Sequence, residues 1–145
     1  MITLTYPIDK IFITQRFGAR PEVYQKFHLA GHNGIDFRTR FLDTPLGRRY
    51  VIAAHGGVIE EIRYDLRGYG IHIRQRLPDG SLLIYGHLKK PYVGLKEKVN
   101  YGQRIGLTDN TGFSSAPHLH FELRLAPIDT KNGFAGAVDP MKYFI

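Results

Sequence analysis

The chain has 145 residues, enough for one domain with its own hydrophobic core, so we expect a single domain over residues 1–145. It contains no cysteine, which excludes disulfide bonds and thiolate metal ligands. The net charge is +7, but the basic residues are scattered along the chain, and we therefore expect no nucleic-acid partner.

The amino-terminal segment, MITLTYPIDK, lacks a basic region followed by a long apolar stretch, so we predict no signal peptide in this sequence. No apolar run approaches the ~20 residues needed to cross a bilayer, and we predict no membrane span. Further along, the Gly-containing segments 19–34 and 109–117 predict long loops. The apolar runs between these loops are short, which favours strands over long helices.

Several runs of β-branched and aromatic residues predict strands, the first of them at Ile35–Phe37. The stretch Val51–Tyr64 predicts one or two strands, with an interruption at Gly56-Gly57. The runs Ile71–Leu77 and Leu82–His87 predict a hairpin, because Pro-Asp-Gly between them is a turn sequence.

The clearest strand pattern in the chain is HLHFELRL, residues 118–125. Apolar residues occupy every second position, so one face of the strand belongs to the core and the other is polar. The polar face carries His118, His120, Glu122 and Arg124. A short terminal helix is predicted at 139–143, with Asp139 as its cap and Pro140 in its first turn. Together these patterns predict a mainly β domain of antiparallel strands, with long Gly-rich loops and little helix.

The chain contains seven histidines, and a single histidine is more often a hydrogen-bonded structural residue than a metal ligand. The alternation in the last strand makes His118 and His120 the first candidates for a metal site. Strand alternation puts both on the same face, with Cα atoms about 6–7 Å apart. Two imidazoles so placed can converge on one ion, or one can bind the ion while the other acts on bound water. Two solvent-facing histidines on an edge strand are the alternative, and this motif alone does not decide between them.

A second candidate lies in GHNGIDF, residues 31–37, where His32 and Asp36 are four residues apart. The glycines disfavour a helix, so a loop entering a strand is expected. Asp36 stands between two apolar residues, and a carboxylate buried there requires a partner. A metal ion is one such partner; a turn N–H or an arginine such as Arg38 is the alternative.

Two histidines and one carboxylate form a ligand set that catalytic zinc sites use, with one position left for water. Zinc lowers the pKa of its water to about 7, which supports hydrolysis at neutral pH. The motif H-E-x-x-H is absent, which excludes the metalloprotease arrangement built on a single helix. The motif G-x-S-x-G and cysteine are absent as well, so a covalent nucleophile is poorly supported. His87, in the segment YGHL, lies where a predicted strand ends and a loop begins, a position from which a side chain can reach a cleft. The alternative is an ordinary surface histidine at the end of a strand.

Three segments in this order, GHNGID, YGHL and TGFSSAPHLHFELR, resemble the lysostaphin-type peptidoglycan metallo-endopeptidases, also called LytM-like domains. Further matches are QRFGAR near the start, VNYGQRIG at 99–106 and VDP near the end, so the resemblance extends from about residue 13 to residue 144. The combination of H-x-x-x-D with H-x-H is specific, whereas either half alone is not.

The resemblance implies a narrow groove and a role for each matching residue. His32, Asp36 and His120 would bind one Zn²⁺ per chain. His118 and His87 would be the catalytic histidines, which orient or deprotonate water and stabilise the developing oxyanion. The substrate would be the peptide part of bacterial peptidoglycan, either a stem peptide or a cross-bridge. All five positions are retained, so we expect an active endopeptidase; a catalytically silent wall-binding or regulatory module with the same fold is the alternative.

A few positions depart from the family pattern. Ala116 and Asp109 stand where Gly is common, and both are expected near the groove wall, where they would alter substrate fit. His55 occurs where an acidic residue is usual, and we interpret it as a turn residue. His28 and His72 are expected to lie outside the catalytic set, and His72 to be structural.

The resemblance also implies where the protein acts. We expect a monomer that works at the cell envelope or outside the cell, as a phage lysin or as a piece of a larger assembly. Its positive charge would favour anionic wall polymers. A nucleic-acid-binding β domain, suggested by the charge and by 18 aromatic residues, has no support in the motif layout.

Overall fold

The computed structural model describes all residues, 1–145, and shows nine antiparallel strands. In chain order they are β1 (Ile13–Gln15), β2 (Ile35–Arg38), β3 (Tyr50–Ile52), β4 (Gly57–Asp65), β5 (Gly70–Arg76), β6 (Leu82–Pro91), β7 (Lys98–Val99), β8 (Arg104–Thr108) and β9 (His118–Arg124). Helix α1 (Pro21–Tyr24) continues into a 3₁₀ turn at Gln25–Phe27, and a second 3₁₀ turn covers Met141–Tyr143. The predicted fold class, mainly β with little helix, is confirmed.

The strands form one connected sheet in the order β1-β2-β9-β6-β5-β4-β7, and β3 pairs with β8 off this path. Strand β6 joins the β3–β8 pair to the main part of the sheet, because its first half pairs with β9 and its second half, from Leu88 to Pro91, pairs with β8. The core contains buried side chains from both parts, among them Ile35, Phe37, Val51, Ile73, Leu83, Tyr85, Leu88, Ile105, Leu119 and Phe121. Burial of one such side chain stabilises the fold by about 1.5–3 kcal/mol, so the strands that carry the site are firmly held.

Strand β9 shows the predicted alternation. Leu119, Phe121 and Leu123 are completely buried in the core. His120 and Glu122, on the other face, are buried as well. Both faces of this strand are therefore covered, which the alternating pattern alone did not indicate.

The predicted hairpin between β5 and β6 is confirmed, with Arg76 opposite Leu82 and Gly80 at a φ of 92° in the turn. The stretch 51–64 contains two strands, as the Gly-Gly interruption suggested, and β3 pairs with β8 instead of with β4. The structure contains no helix with the length and hydropathy that crossing a membrane would require.

Two segments differ from the sequence prediction. The loop predicted at 19–34 contains α1, which begins at Pro21, where the fixed φ of proline suits the first helical position. The predicted terminal helix is reduced to one 3₁₀ turn that begins at Met141. Asp139 does accept a hydrogen bond from the Met141 N–H at 3.0 Å, but Pro140 precedes the turn instead of belonging to it.

Strand β6 departs from the prediction next to the site. It does not end at His87 but continues to Pro91. Tyr85 and Leu88 are three positions apart, yet their partners on β5 are only two positions apart, so the strand contains a β-bulge opposite His72. Regular alternation would put His87 on the core face with Tyr85. The bulge instead returns Leu88 to the core, and His87 lines the groove with a φ of 63°.

Candidate active site

Three buried side chains meet at one point of the sheet surface. Nε2 of His32, Oδ1 of Asp36 and Nδ1 of His120 form a triangle with sides of 3.1, 3.1 and 3.2 Å. Ligands bound to zinc at 2.0–2.1 Å in a tetrahedron are ~3.3 Å apart, so the triangle has the size of one face of a zinc tetrahedron. The structure thus brings together the three residues for which the sequence predicted metal binding, and their donor atoms fit Zn²⁺.

The fold explains why these three side chains converge. Asp36 and His120 are direct partners in the β2–β9 ladder, so their side chains leave the same face of the sheet side by side. His32 reaches the same point from the loop before β2. Gly34 makes this approach feasible, since a Cβ at this position would lie 2.7 Å from Cε1 of His120.

Both histidines of the triangle are oriented through their second ring nitrogen. Nδ1 of His32 lies 3.1 Å from the carbonyl oxygen of Arg16. Nε2 of His120 lies 3.2 Å from Oε1 of Glu122. Because a carbonyl or carboxylate oxygen accepts an N–H there, the lone pair of each ring is left on the nitrogen that faces the triangle.

Glu122 belongs to a buried polar network behind His120. Its Oε1 accepts a hydrogen bond from the Tyr69 hydroxyl at 2.6 Å, and its Oε2 accepts one from Nε of Arg124 at 2.6 Å. The amide of Asn33 donates to the Tyr69 hydroxyl at 3.1 Å. Burial raises the pKa of Glu122, but its contacts with His120 and Arg124 outweigh this effect and lower the pKa. The carboxylate is therefore ionised and orients the His120 ring.

Replacing Glu122 with Gln tests this orienting role. Because Gln removes the charge and keeps the size, we expect zinc affinity to fall about 10–100-fold, the effect typical of losing such a partner. Competition with a chromogenic chelator measures the affinity. Glu60→Gln is the matched control, since that residue pairs with Arg76 on an exposed face. A double variant, Glu122→Gln with Arg124→Met, leaves no uncompensated charge. Unchanged affinity in both Glu122 variants would show that the carboxylate does not support His120.

Asp36 and His120 dominate the electrostatics of the site. Burial would raise the pKa of Asp36, but hydrogen bonds to His120 and His32 lower it far below its usual range. Burial would lower the pKa of His120, but hydrogen bonds to Asp36 and Glu122 outweigh it and raise the pKa to about 9. A proton therefore competes with a metal ion at His120, and metal affinity is expected to increase with pH up to that value.

His118 and His87 lie beside the triangle. Nε2 of His118 is 3.5 Å from Oδ2 of Asp36, and its Nδ1 is 2.8 Å from the carbonyl oxygen of Ala116. Nδ1 of His87 is 2.6 Å from the carbonyl oxygen of Thr111. The two ring centroids are 4.5 Å apart. With Nδ1–H donated to a carbonyl in each case, both rings keep the Nε2 lone pair free.

The environment of His87 keeps its ring neutral. Burial is the largest cause, followed by repulsion from His118 and His120, and together they lower the pKa of His87 to about 3. A neutral imidazole in this position accepts a hydrogen bond through Nε2.

These side chains lie in a groove of about 1320 Å³, which confirms the predicted groove. One wall is formed by α1 and the turn after it, and the other by the loop at 109–117. The walls touch where the rings of Phe27 and Phe113 lie 5.2 Å apart. The volume exceeds the ~300–1,000 Å³ of ordinary small-molecule sites, which suits a polymeric substrate.

The remaining predicted positions fall in different places. Ala116 lines the groove as expected, whereas Asp109 does not line it and pairs with an arginine at 3.8 Å. His55 lies in a turn, and His72 is buried and bonded to a backbone carbonyl, as predicted for both. His28 is exposed outside the groove lining.

Sequence analysis missed residues that hold the metal triangle from outside. The amide of Gln15 donates to Oδ2 of Asp36 at 3.2 Å and contacts the Tyr24 hydroxyl. Gln15 lies in the QRFGAR segment, which matched the family pattern but suggested no role. Glu122 was placed on the polar face of its strand without a partner, and Tyr69 had no signal at all.

A buried site for one metal ion with an open side, next to two histidines with free Nε2 atoms in a long groove, is the arrangement of a metal-dependent hydrolase. The pattern of Peptidase family M23 matches residues 30–138, a range that includes all five predicted site residues. The chain belongs to this family.

Individual proteins support the assignment. The chain is 34% identical over 119 residues to the peptidoglycan DD-endopeptidase ShyA of Vibrio cholerae serotype O1. The aligned region covers 81% of this chain and 26% of ShyA. It superposes on the catalytic domain of lysostaphin from Staphylococcus simulans with a TM-score of 0.72 and 29% identity, over 92% of this chain and 91% of that domain. A zinc-containing peptidase from Vibrio cholerae aligns with a TM-score of 0.73 and 28% identity, over 96% of this chain and 39% of that one. The chain spans between 18% and 28% of the length of the curated relatives it matches.

Proposed function

We propose that this domain is a zinc-dependent endopeptidase that hydrolyses peptide bonds in the stem peptides or cross-bridges of bacterial peptidoglycan. The observation that carries the proposal is the convergence of His32, Asp36 and His120 at the spacing of a zinc tetrahedron in a long groove. Membership in a peptidase family supports the reaction type. Relatives named peptidoglycan DD-endopeptidase and lysostaphin support the substrate.

The three ligands would hold zinc through Nε2 of His32, Oδ1 of Asp36 and Nδ1 of His120. When bound, zinc supplies a Lewis acid that lowers the pKa of water at the open position and polarises a carbonyl group. Oδ2 of Asp36 points away from the metal triangle, where it accepts a hydrogen bond from the Gln15 amide at 3.2 Å and lies 3.5 Å from Nε2 of His118.

In this proposal, one of the two remaining histidines transfers protons and the other orients the attacking water. His118 accepts the proton of the attacking water at Nε2, and the Asp36 carboxylate 3.5 Å away stabilises the resulting charge. Protonated His118 then donates to the leaving amine. His87, kept neutral by burial, accepts a hydrogen bond from the water and orients it. His118 is thus the general acid–base group and His87 the residue that orients the water, although Nδ1 of each ring is hydrogen-bonded to a backbone carbonyl oxygen.

Digestion of purified peptidoglycan tests this function. We expect the wall suspension to clear and to release peptide fragments, a chelator to stop the release, and added zinc to restore it. Mass spectrometry of fragments from walls with different cross-bridges then identifies the bond that is cut. Bound zinc and adhesion to the wall without released fragments would instead indicate the catalytically silent module.

We further propose that the domain acts as a monomer at the cell envelope or in the extracellular space, where peptidoglycan is exposed. The net charge of +7 would attract it to anionic wall polymers. This attraction is between exposed charges and is expected to weaken with salt.

A further inference from the structure

The walls of the groove carry an excess of positive charge. The cations that line it are Arg20, Lys26, Arg38, Arg40 and Arg67. The carboxylates that line it are Asp36, which belongs to the metal triangle, and Asp65, which accepts a hydrogen bond from a backbone N–H of its own turn. None of the five cations forms an ion pair with a carboxylate.

Arginines elsewhere in the molecule are mostly neutralised. Those that pair with carboxylates are Arg48, Arg49, Arg63, Arg74, Arg76 and Arg124. Six arginines remain without a carboxylate partner, and four of them line the groove. The unpaired guanidinium groups are therefore concentrated where a substrate would lie, and a groove lined by one sign of charge attracts ligands of the other.

The position of Arg38 relative to the site is determined by the sheet. It is the partner of His118 in the β2–β9 ladder and lies two residues after Asp36 on the same strand. Because side chains alternate along a strand, Arg38 leaves the sheet on the same face as these two residues. A positive charge thus lies at the edge of the proposed catalytic centre.

The guanidinium of Arg38 is also held in place. Its Nε donates to the carbonyl oxygen of Arg40 at 2.7 Å. The group lies over the rings of Phe12 and Phe41, at 5.6 and 5.1 Å from their centroids. Its two terminal nitrogens have no acceptor within the protein. An ordered guanidinium with two free N–H edges is suited to bind a carboxylate through two hydrogen bonds.

We propose that the groove selects peptides that carry free carboxylates near the scissile bond, and that Arg38 is a specificity-determining residue for them. This inference rests on the proposed function and names the class of substrate: acidic peptides, as opposed to neutral or amidated ones. A carboxamide in place of the carboxylate keeps one accepting oxygen, but it has no charge and its NH₂ group faces a guanidinium that only donates. The charge-assisted hydrogen bonds would be lost with it.

The test compares two forms of one substrate. Disaccharide-peptide dimers are released from purified walls with a muramidase, and half are treated with carbodiimide and ammonium chloride, which converts carboxylates to carboxamides. For the zinc-loaded protein we expect kcat/KM to be about tenfold higher on the free-carboxylate dimers, mainly through a lower KM. The ratio of kcat/KM between the free-carboxylate and the amidated dimers is expected to decrease in about 0.5 M salt, because salt screens the attraction between exposed charges.

Variants locate the effect. Arg38→Gln is expected to lower the ratio between the two dimers about threefold, the value of one partly exposed charge pair. Lys98→Gln removes the same charge from an exposed strand outside the groove and is expected to leave the ratio unchanged. Zinc content confirms that each variant keeps its site.

The outcomes separate this inference from the function on which it rests. Equal kcat/KM on the two dimers would leave the endopeptidase function intact and overturn the selection of carboxylates. A ratio that Lys98→Gln lowers as much as Arg38→Gln would overturn the role of Arg38. If neither dimer is cleaved, the proposed function fails and the inference fails with it.

Discussion

His118→Ala is expected to keep its zinc and to lose about 10²–10⁴-fold in kcat on peptidoglycan, the contribution typical of a general acid–base group. The side chain is outside the metal triangle, and its nearest site atom is Oδ2 of Asp36 at 3.5 Å. Its removal therefore leaves all three ligand atoms in place. The measurement pairs the rate of fragment release with the zinc content of the same preparation.

A control histidine separates this effect from a general disturbance. His55→Ala removes a ring outside the groove lining, whose hydrogen bond goes to the carbonyl oxygen of the next residue, Gly56, at 2.8 Å. This variant is expected to cleave walls at the unaltered rate. If His118→Ala also cleaves them at that rate, the proposed mechanism is wrong; if it loses its zinc, His118 contributes to the metal site instead.

His120→Ala has the opposite signature, because it removes a corner of the triangle. We expect zinc content to fall from about one ion per chain to almost none after dialysis against a weak chelator, and activity to fall to background. A ligand present at 100 times its dissociation constant stabilises a fold by about 2.7 kcal/mol. A chelator should therefore lower the melting temperature of the unaltered protein and leave that of His120→Ala unchanged.

Asp36→Asn provides the matched comparison for this second prediction. It retains the shape of the side chain, but it removes the charge that attracts both histidines and leaves one oxygen where the carboxylate offered two, one to the triangle and one to Gln15. We expect it to bind zinc more weakly than the unaltered protein and more strongly than His120→Ala. Full zinc occupancy in His120→Ala after dialysis would place the ion elsewhere and refute the assignment of the triangle.

Local patterns in the sequence determined much of this site. The period of two in HLHFELRL put His118 and His120 on one face, since alternation depends only on neighbouring residues. The motif GHNGID identified His32 and Asp36, but the chemistry of the residues alone left a turn or an arginine as their alternative partners. The resemblance to a peptidase family divided the roles among the histidines.

Pairing between distant strands decided the rest. His32 and His120 are 88 residues apart, and only the ladder between β2 and β9 brings Asp36 between them. His87 faces the groove because a bulge shifts β6 by one residue, and alternation alone would have put it in the core. A bulge depends on the register with β5, which a single segment does not reveal.

The hydrogen bonds and ion pairs that set the electrostatics of the site also depend on the tertiary structure. Glu122 orients His120 while Arg124 and Tyr69 hold its two oxygens. Arg124 is a neighbour on the same strand face, but Tyr69 is 53 residues away in the sequence, and only the fold brings it to Glu122. The count of charges established that the protein is basic, but not which charges are already paired. Ion pairs form between residues that the fold brings together, so only the structure showed that arginines without partners, Arg38 among them, line the groove.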